Sequence, residues 1–222
     1  MEVGAPLVLE VPGAGRWQAR NSPARRVPSH GTDAFGGRYA IDLVPVDARG
    51  RSGPIGWRTL LATEDPTRFA GWGRPVVAPV AGVVALVHDG EPDARVRRSP
   101  AAYPGFALTQ AARARRGLSG LAGNCVVIAV AAGGPFVLVA HLRNGSVGVR
   151  AGDRVAAGQP IGGCGNSGNS TQPHVHLQVS DSIDWPTARG LPFAFAAYRA
   201  GGRVVGGGVP GEAEIIEAAG GS

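Results

Sequence analysis

The amino-acid sequence predicts an all-β fold on three observations. Glycine (36) and proline (18) are abundant among the 222 residues while aromatic residues make up only 6%, a balance that favours many turns between short strands over a helical bundle. The apolar stretches are short and several alternate with period two. Finally, Pro173-His174-Val175-His176-Leu177 places two of the five histidines at i and i+2. On a strand that spacing points both imidazoles to one face while Val175, Leu177 and Val179 take the other.

The elements follow in chain order. Residues 1–25 contain one expected strand, Leu7 to Val11, followed by a loop rich in Arg, Pro and Ser. In RYAIDLVPVD (38–47), Tyr39, Ile41, Leu43 and Val44 mark a strand in which Asp42 points opposite to its apolar neighbours. VVAPVAGVVALVHDG (76–90) reads as two short strands broken at Pro79 and Gly82. Segment 91–122 is polar and arginine-rich, with a helix expected from Phe106 to Arg115, and reads as a short helical insertion (near 106–116) between core strands. CVVIAV (125–130) and FVLVAHL (136–142) form an expected hairpin across Ala131–Pro135. Glycine-punctuated β segments then lead through 145–179 to the histidine strand. Residues 180–200 are expected as a loop packing aromatics on the sheet edge, and the tail 201–222 as weakly ordered or as one last hairpin. The expected organisation is one main domain, 26–200, with the insertion 91–122, the N-terminal strand and loop 1–25, and the tail.

A hydrophobic content of 44% supplies a core and excludes general disorder. The net charge of +6 is compatible with an anionic polymer, but no motif interleaves aromatic and basic residues, so nucleic acid is not an expected partner. No apolar run reaches membrane-spanning length. The start MEVGAPLVLEVPGAGRW has Glu2 and no basic region before an apolar one, so no secretory signal is expected and localisation is left open. A monomer is expected. Cys125 and Cys164 lack CxxC spacing and are either a pair or buried free thiols.

The candidate chemistry rests on histidine and aspartate. Asp42, His141, His174 and His176 lie on or beside expected strands, and His30 sits in the loop SHGTDAFGG before the Asp42 strand. Imidazole is both a common zinc ligand and a general base near neutral pH, so the paired histidines can divide those roles, or can be solvated strand residues. A catalytic zinc site commonly has three protein ligands and an open water position, and a His₂Asp set meets that count. His88, in the turn VHDGEPD, has no such companions.

The order VxAPxxGxV, GNxVVI, a strand ending AHL, and GDRVxAGQPIGxCGNSGNSTxPHxHLQ resembles the LytM/lysostaphin-type zinc metallopeptidases over roughly residues 38–180. The resemblance implies a duplicated-hybrid-motif (LytM-like) β fold and a Zn²⁺-dependent endopeptidase acting on peptide cross-links of peptidoglycan or on another extended peptide. It makes His176 and Asp42 zinc ligands and His174 and His141 catalytic. The family's HxxxD motif is broken, since Arg38 stands four residues before Asp42 and a guanidinium cannot ligate zinc. His30, twelve residues upstream of Asp42, is the expected substitute, folded back through Phe35-Gly36-Gly37. The alternative is a catalytically silent LytM-like binding or regulatory domain. In GNSGNST, Asn169 and Ser170 are candidate substrate-binding residues or plain turn residues.

Overall fold

The computed structural model describes residues 5–101, 105 and 108–220. Its strands are β1 (Leu7–Leu9), β2 (Arg16–Arg20), β3 (Ile41–Val46), β4 (Pro75–Val77), β5 (Gly82–His88), β6 (Asn124–Ala129), β7 (Phe136–Leu142), β8 (Arg154–Val155), β9 (Pro160–Gly163), β10 (Val175–Ser180), β11 (Phe193–Ala200), β12 (Arg203–Gly208) and β13 (Ile215–Ala218). An 11-stranded sheet runs β1-β11-β13-β2-β3-β10-β7-β6-β5-β8, with β12 pairing with β11, and β4 and β9 form a second, two-stranded sheet. The molecule is thus mostly β, with a few short helices at Arg58–Leu61, Gln110–Arg115 and Leu118–Ala122.

Period-two alternation gives the central strands two faces, each with its own apolar cluster. Ile41 and Leu43 of β3, Val126 and Ile128 of β6, Val137 and Val139 of β7, and Leu177 and Val179 of β10 are fully buried in one core. Removing each such side chain from water stabilises the fold by roughly 1.5–3 kcal/mol. Trp17 of β2 joins this core with its indole N–H donating to the Gly13 carbonyl at 3.0 Å, so burial of the ring leaves no orphaned donor. The opposite face carries Asp42 and His176, which are register partners between β3 and β10. On the neighbouring β7, Ala140 lies opposite His176 and Leu138 opposite Gln178.

Several sequence expectations change in the folded chain. The β3 strand, the 125–142 hairpin and the break between β4 and β5 appear as expected, and that break is where the chain passes from the small sheet to the large one. The loop expected after residue 11 instead holds β2, whose Trp17 and Ala19 are buried between flanking arginines. The loop expected over 180–200 holds β11, in which Phe193, Phe195 and Tyr198 face the core and Leu7–Leu9 pair in parallel. The tail forms β12, and β13 bridges β11 to β2. Of the helix expected from Phe106 to Arg115 in the insertion, Phe106 and Ala107 lie outside the described residues. Its described part, Gln110–Arg115, is followed across Gly117 (φ +65°) by the second short helix. No helix among the described residues is long and apolar enough to cross a membrane.

Both cysteines are free and buried. Burial pushes the Cys125 thiol up to about 12 and raises Cys164 further still, so neither forms appreciable thiolate near neutral pH. In a thiol-labelling assay at pH 8, the native protein is expected to leave both unmodified and to release both on unfolding. Rapid labelling of the native chain would show that this part of the core opens.

Candidate functional site

The site is assembled on the face of β3, β7 and β10 turned away from the main core, and each of its groups is brought there by a specific piece of backbone. Asp42 and His176 arrive by strand alternation. His174 lies just before β10 and is buried. His141 needs more, because Ala140 already occupies the site face opposite His176 and strict alternation would send the next residue to the core. The backbone at His141 is left-handed, with φ +62°, which breaks the alternation and turns its ring against His174, 4.6 Å away between centroids. A non-glycine residue in this region costs roughly 1–2 kcal/mol, an expense typical of functional positions.

His30 is returned to the site by the turn before β3. Phe35 (φ +58°) and Gly36 (φ +72°) reverse the chain within the short helical turn Ala34–Tyr39. Gly36 is required there, since a Cβ would sit 3.0 Å from the Ser180 side chain and 3.2 Å from the Gln178 amide. Arg38 ends on the outside, with its guanidinium 2.6 Å from Asp33. The position that breaks the HxxxD pattern therefore does not enter the site.

The donor atoms of His30, Asp42 and His176 all lie within 4.8 Å of one another. His30 Nε2 is 3.2 Å from Asp42 Oδ2, and His176 Nδ1 is 2.9 Å from Asp42 Oδ1. Ligands bound to zinc at about 2.1 Å in a tetrahedron stand roughly 3.4 Å apart, so these separations need only small adjustment. Hydrogen bonds on the far side of each ring orient the facing nitrogen. The Ser29 hydroxyl donates to the Gly37 carbonyl and accepts from His30 Nδ1. The Gln178 amide donates to the Phe35 carbonyl, which leaves its Oε1 to accept from His176 Nε2 at 3.0 Å. In each ring the far nitrogen is thus held by a partner of its own, which leaves the nitrogen facing Asp42 as the one that would bind an ion. The donor set fits a divalent zinc ion: two imidazoles and a carboxylate.

Electrostatics agree with this arrangement. Burial disfavours the Asp42 carboxylate, but His174 and His30 beside it and hydrogen bonds from His174 and His176 outweigh that cost and hold it well below the usual carboxylate range. Asn21 donates a further hydrogen bond to Asp42 Oδ2 at 2.7 Å. His141 is pushed well below the usual imidazole range by burial and then by His174 and His176, which keeps it neutral. Its Nδ1 donates to the Ser167 carbonyl at 2.9 Å, so Nε2 is the unprotonated nitrogen. Burial also works against the charged form of His174, yet the Asp42 charge and hydrogen bond, with the Gln172 carbonyl on Nδ1, raise it above its ordinary value.

The two remaining candidates differ in position. Asn169 lines the cleft, and its side-chain oxygen accepts from Arg113 at 2.7 Å, tying the Gly/Ser-rich loop to the helical insertion. Ser170 is buried, and its hydroxyl lies 2.8 Å from the Gln172 carbonyl and 3.0 Å from His174 Nδ1. It stands behind the histidine. Sequence reasoning missed Asn21, Ser29, Ser167 and Gln178, which hold the site from behind. Gln178 alone carried a signal, being two residues from His176 on the same strand face.

Comparison with known proteins places this geometry in context. The model of Peptidase family M23 matches residues 101–186, a segment that includes His141, His174 and His176 but neither His30 nor Asp42. No curated protein sequence matches the chain. Among solved structures, a mutant catalytic domain of the prophage-encoded M23 protein EnpA from Enterococcus faecalis is 18% identical, with 85% of this chain and 90% of that one covered and a TM-score of 0.38. The catalytic domain of the antimicrobial peptidase lysostaphin from Staphylococcus simulans is 19% identical, with 80% and 88% covered and a TM-score of 0.40. A putative peptidase M23 from Pseudomonas aeruginosa is 24% identical, with 50% and 35% covered and a TM-score of 0.32. Residues 101–186 are therefore identified as an M23 peptidase segment, in agreement with the LytM-type resemblance of the motifs along the chain.

Proposed function

We propose that the protein is a zinc-dependent endopeptidase that hydrolyses peptide cross-links of bacterial peptidoglycan. The observation that carries this reading is the convergence of His30, Asp42 and His176 on one point, with His141 and His174 packed beside them. Zinc held there supplies a Lewis acid that polarises the scissile carbonyl and acidifies water.

The chain's own residues supply the rest. His141 offers an unprotonated Nε2, fixed by the Nδ1–H bond to Ser167, and accepts a proton from the attacking water. His174 is oriented by Gln172 and Ser170, which leaves Nε2 facing the site. From there it donates to the oxyanion and then to the leaving amine. Ser170 acts as a positioning residue for His174 in this account, and Asn169, on the cleft wall, contacts the peptide.

The test is a digest of purified peptidoglycan by the zinc-loaded protein with and without a chelator, read by mass spectrometry. Release of cross-link fragments that stops with chelation and returns with zinc is expected. Intact peptidoglycan in both arms, or cleavage indifferent to the chelator, would remove this reading.

A further inference from the structure

The cleft over the histidines has a volume of about 580 Å³ and extends well past them. Its lining includes the apolar residues Phe35, Leu118, Leu121, Ala122, Leu138 and Trp185, all but Leu121 belonging to one hydrophobic cluster, and together they form its apolar recess. The sheet register places this recess relative to the chemistry. Leu138 pairs with Gln178, two residues along β10 from His176, which at the rise of a strand is roughly 7 Å. That distance is about one peptide unit to a side-chain tip. The recess continues a second apolar cluster in which Trp185 packs with Ala122, Cys125, Val127, Leu138 and Ala140, so its walls are backed by fixed side chains.

Charge is as informative as shape. Asp42, already engaged by the histidines, is the one acidic residue among the described residues that line the cleft, and none of them is Lys or Arg. A charged substrate group entering the recess would lose water without gaining a partner. The Trp185 indole N–H is itself buried, with no hydrogen-bond partner, so it is the ring's apolar surface that the cleft meets. Predominantly apolar walls are the usual make-up of a side-chain pocket.

We infer that this recess is the subsite for an uncharged, apolar side chain beside the scissile bond. The chain then cuts alanyl or larger aliphatic positions in preference to glycyl ones, and rejects a charged residue there. The inference rests on the peptidase reading and adds the substrate class to it. Two elements build the preference: the helical insertion, through Leu118, Leu121 and Ala122, and the loop after β10, through Trp185.

The test uses the zinc-loaded full chain and a series of oligoglycine peptides in which one position is Gly, Ala, Leu, Asp or Lys, with the cleavage products read by mass spectrometry. The expected order of kcat/KM is Leu above Ala above Gly, with Leu exceeding Gly by roughly 10- to 100-fold and the charged peptides below Gly. Equal rates, or Gly cut fastest, would overturn the inference while leaving the peptidase intact. If no peptide is cut, calorimetric binding of the same series decides. About tenfold tighter binding of the Leu peptide keeps the subsite although the peptidase reading fails, and no preference ends the inference. Cleavage of Leu peptides without cleavage of peptidoglycan likewise keeps the subsite and changes only the natural substrate. In Leu121→Arg, checked for folding by thermal unfolding, the Leu-to-Gly ratio is expected to fall to near one; a folded variant with the ratio unchanged would contradict the assignment.

Discussion

Replacing His30 by alanine is expected to abolish stoichiometric zinc binding and reduce peptidase activity by more than about 100-fold, since loss even of the partners behind a ligand costs 10- to 100-fold. His30 Nε2 lies 3.2 Å from Asp42 Oδ2, its Nδ1 is engaged by Ser29, and the position where a family ligand would be expected holds Arg38, salt-bridged to Asp33 on the surface. Arg38→Ala is therefore the matched control, with zinc affinity expected within about twofold of the parent, as for an ordinary surface substitution. Calorimetric zinc titration of both variants checks the pair. Unchanged affinity in His30→Ala would show that the third ligand lies elsewhere, and loss of affinity in Arg38→Ala would show that Arg38 supports the metal.

The second large effect is expected from His141→Ala. This residue ligates nothing in the proposed site, but its ring, with Nε2 unprotonated, lies 4.6 Å from that of His174 and 5.8 Å from that of His176 between centroids. Removing a general base commonly costs roughly 10²–10⁴-fold. Here kcat is expected to fall by that amount while one zinc per chain is retained. The left-handed backbone at His141 adds a separate signature, because alanine keeps the strain of φ +62° and glycine relieves it. His141→Gly is thus expected to be as inactive as His141→Ala but more stable to heat. A fall in zinc affinity equal to that of His30→Ala would instead make His141 a ligand.

Legibility in the sequence followed the physics of alternation. In β10 His176 and Gln178 alternate with Val175, Leu177 and Val179, and in β3 Asp42 is the one charged residue of an apolar strand, so Asp42 and His176, with His174 just before β10, stand out in the sequence. β2 and β11 were missed for the opposite reason. β2 alternates Arg16, Gln18 and Arg20 with Trp17 and Ala19, but over only five residues beside an Arg-, Pro- and Ser-rich stretch, and the alanines of β11 dilute the contrast between its faces. Both are held by long-range pairing with β3, β13 and β1. His141 was visible as a strand end, yet its entry into the site depends on a left-handed backbone that no periodicity reveals. His30 was reachable only because the resemblance left a ligand missing. The groups behind the site, Ser29, Ser167 and Gln178, act through hydrogen bonds set by tertiary approach, and Trp185 reaches the recess from a loop.

The central claim is that His30, Asp42 and His176 form a zinc site, and calorimetric titration of zinc into the metal-free wild-type chain tests it most directly. The account predicts saturation at one zinc per chain, with protons released as the imidazoles are engaged. A chain that takes up no stoichiometric zinc would contradict it.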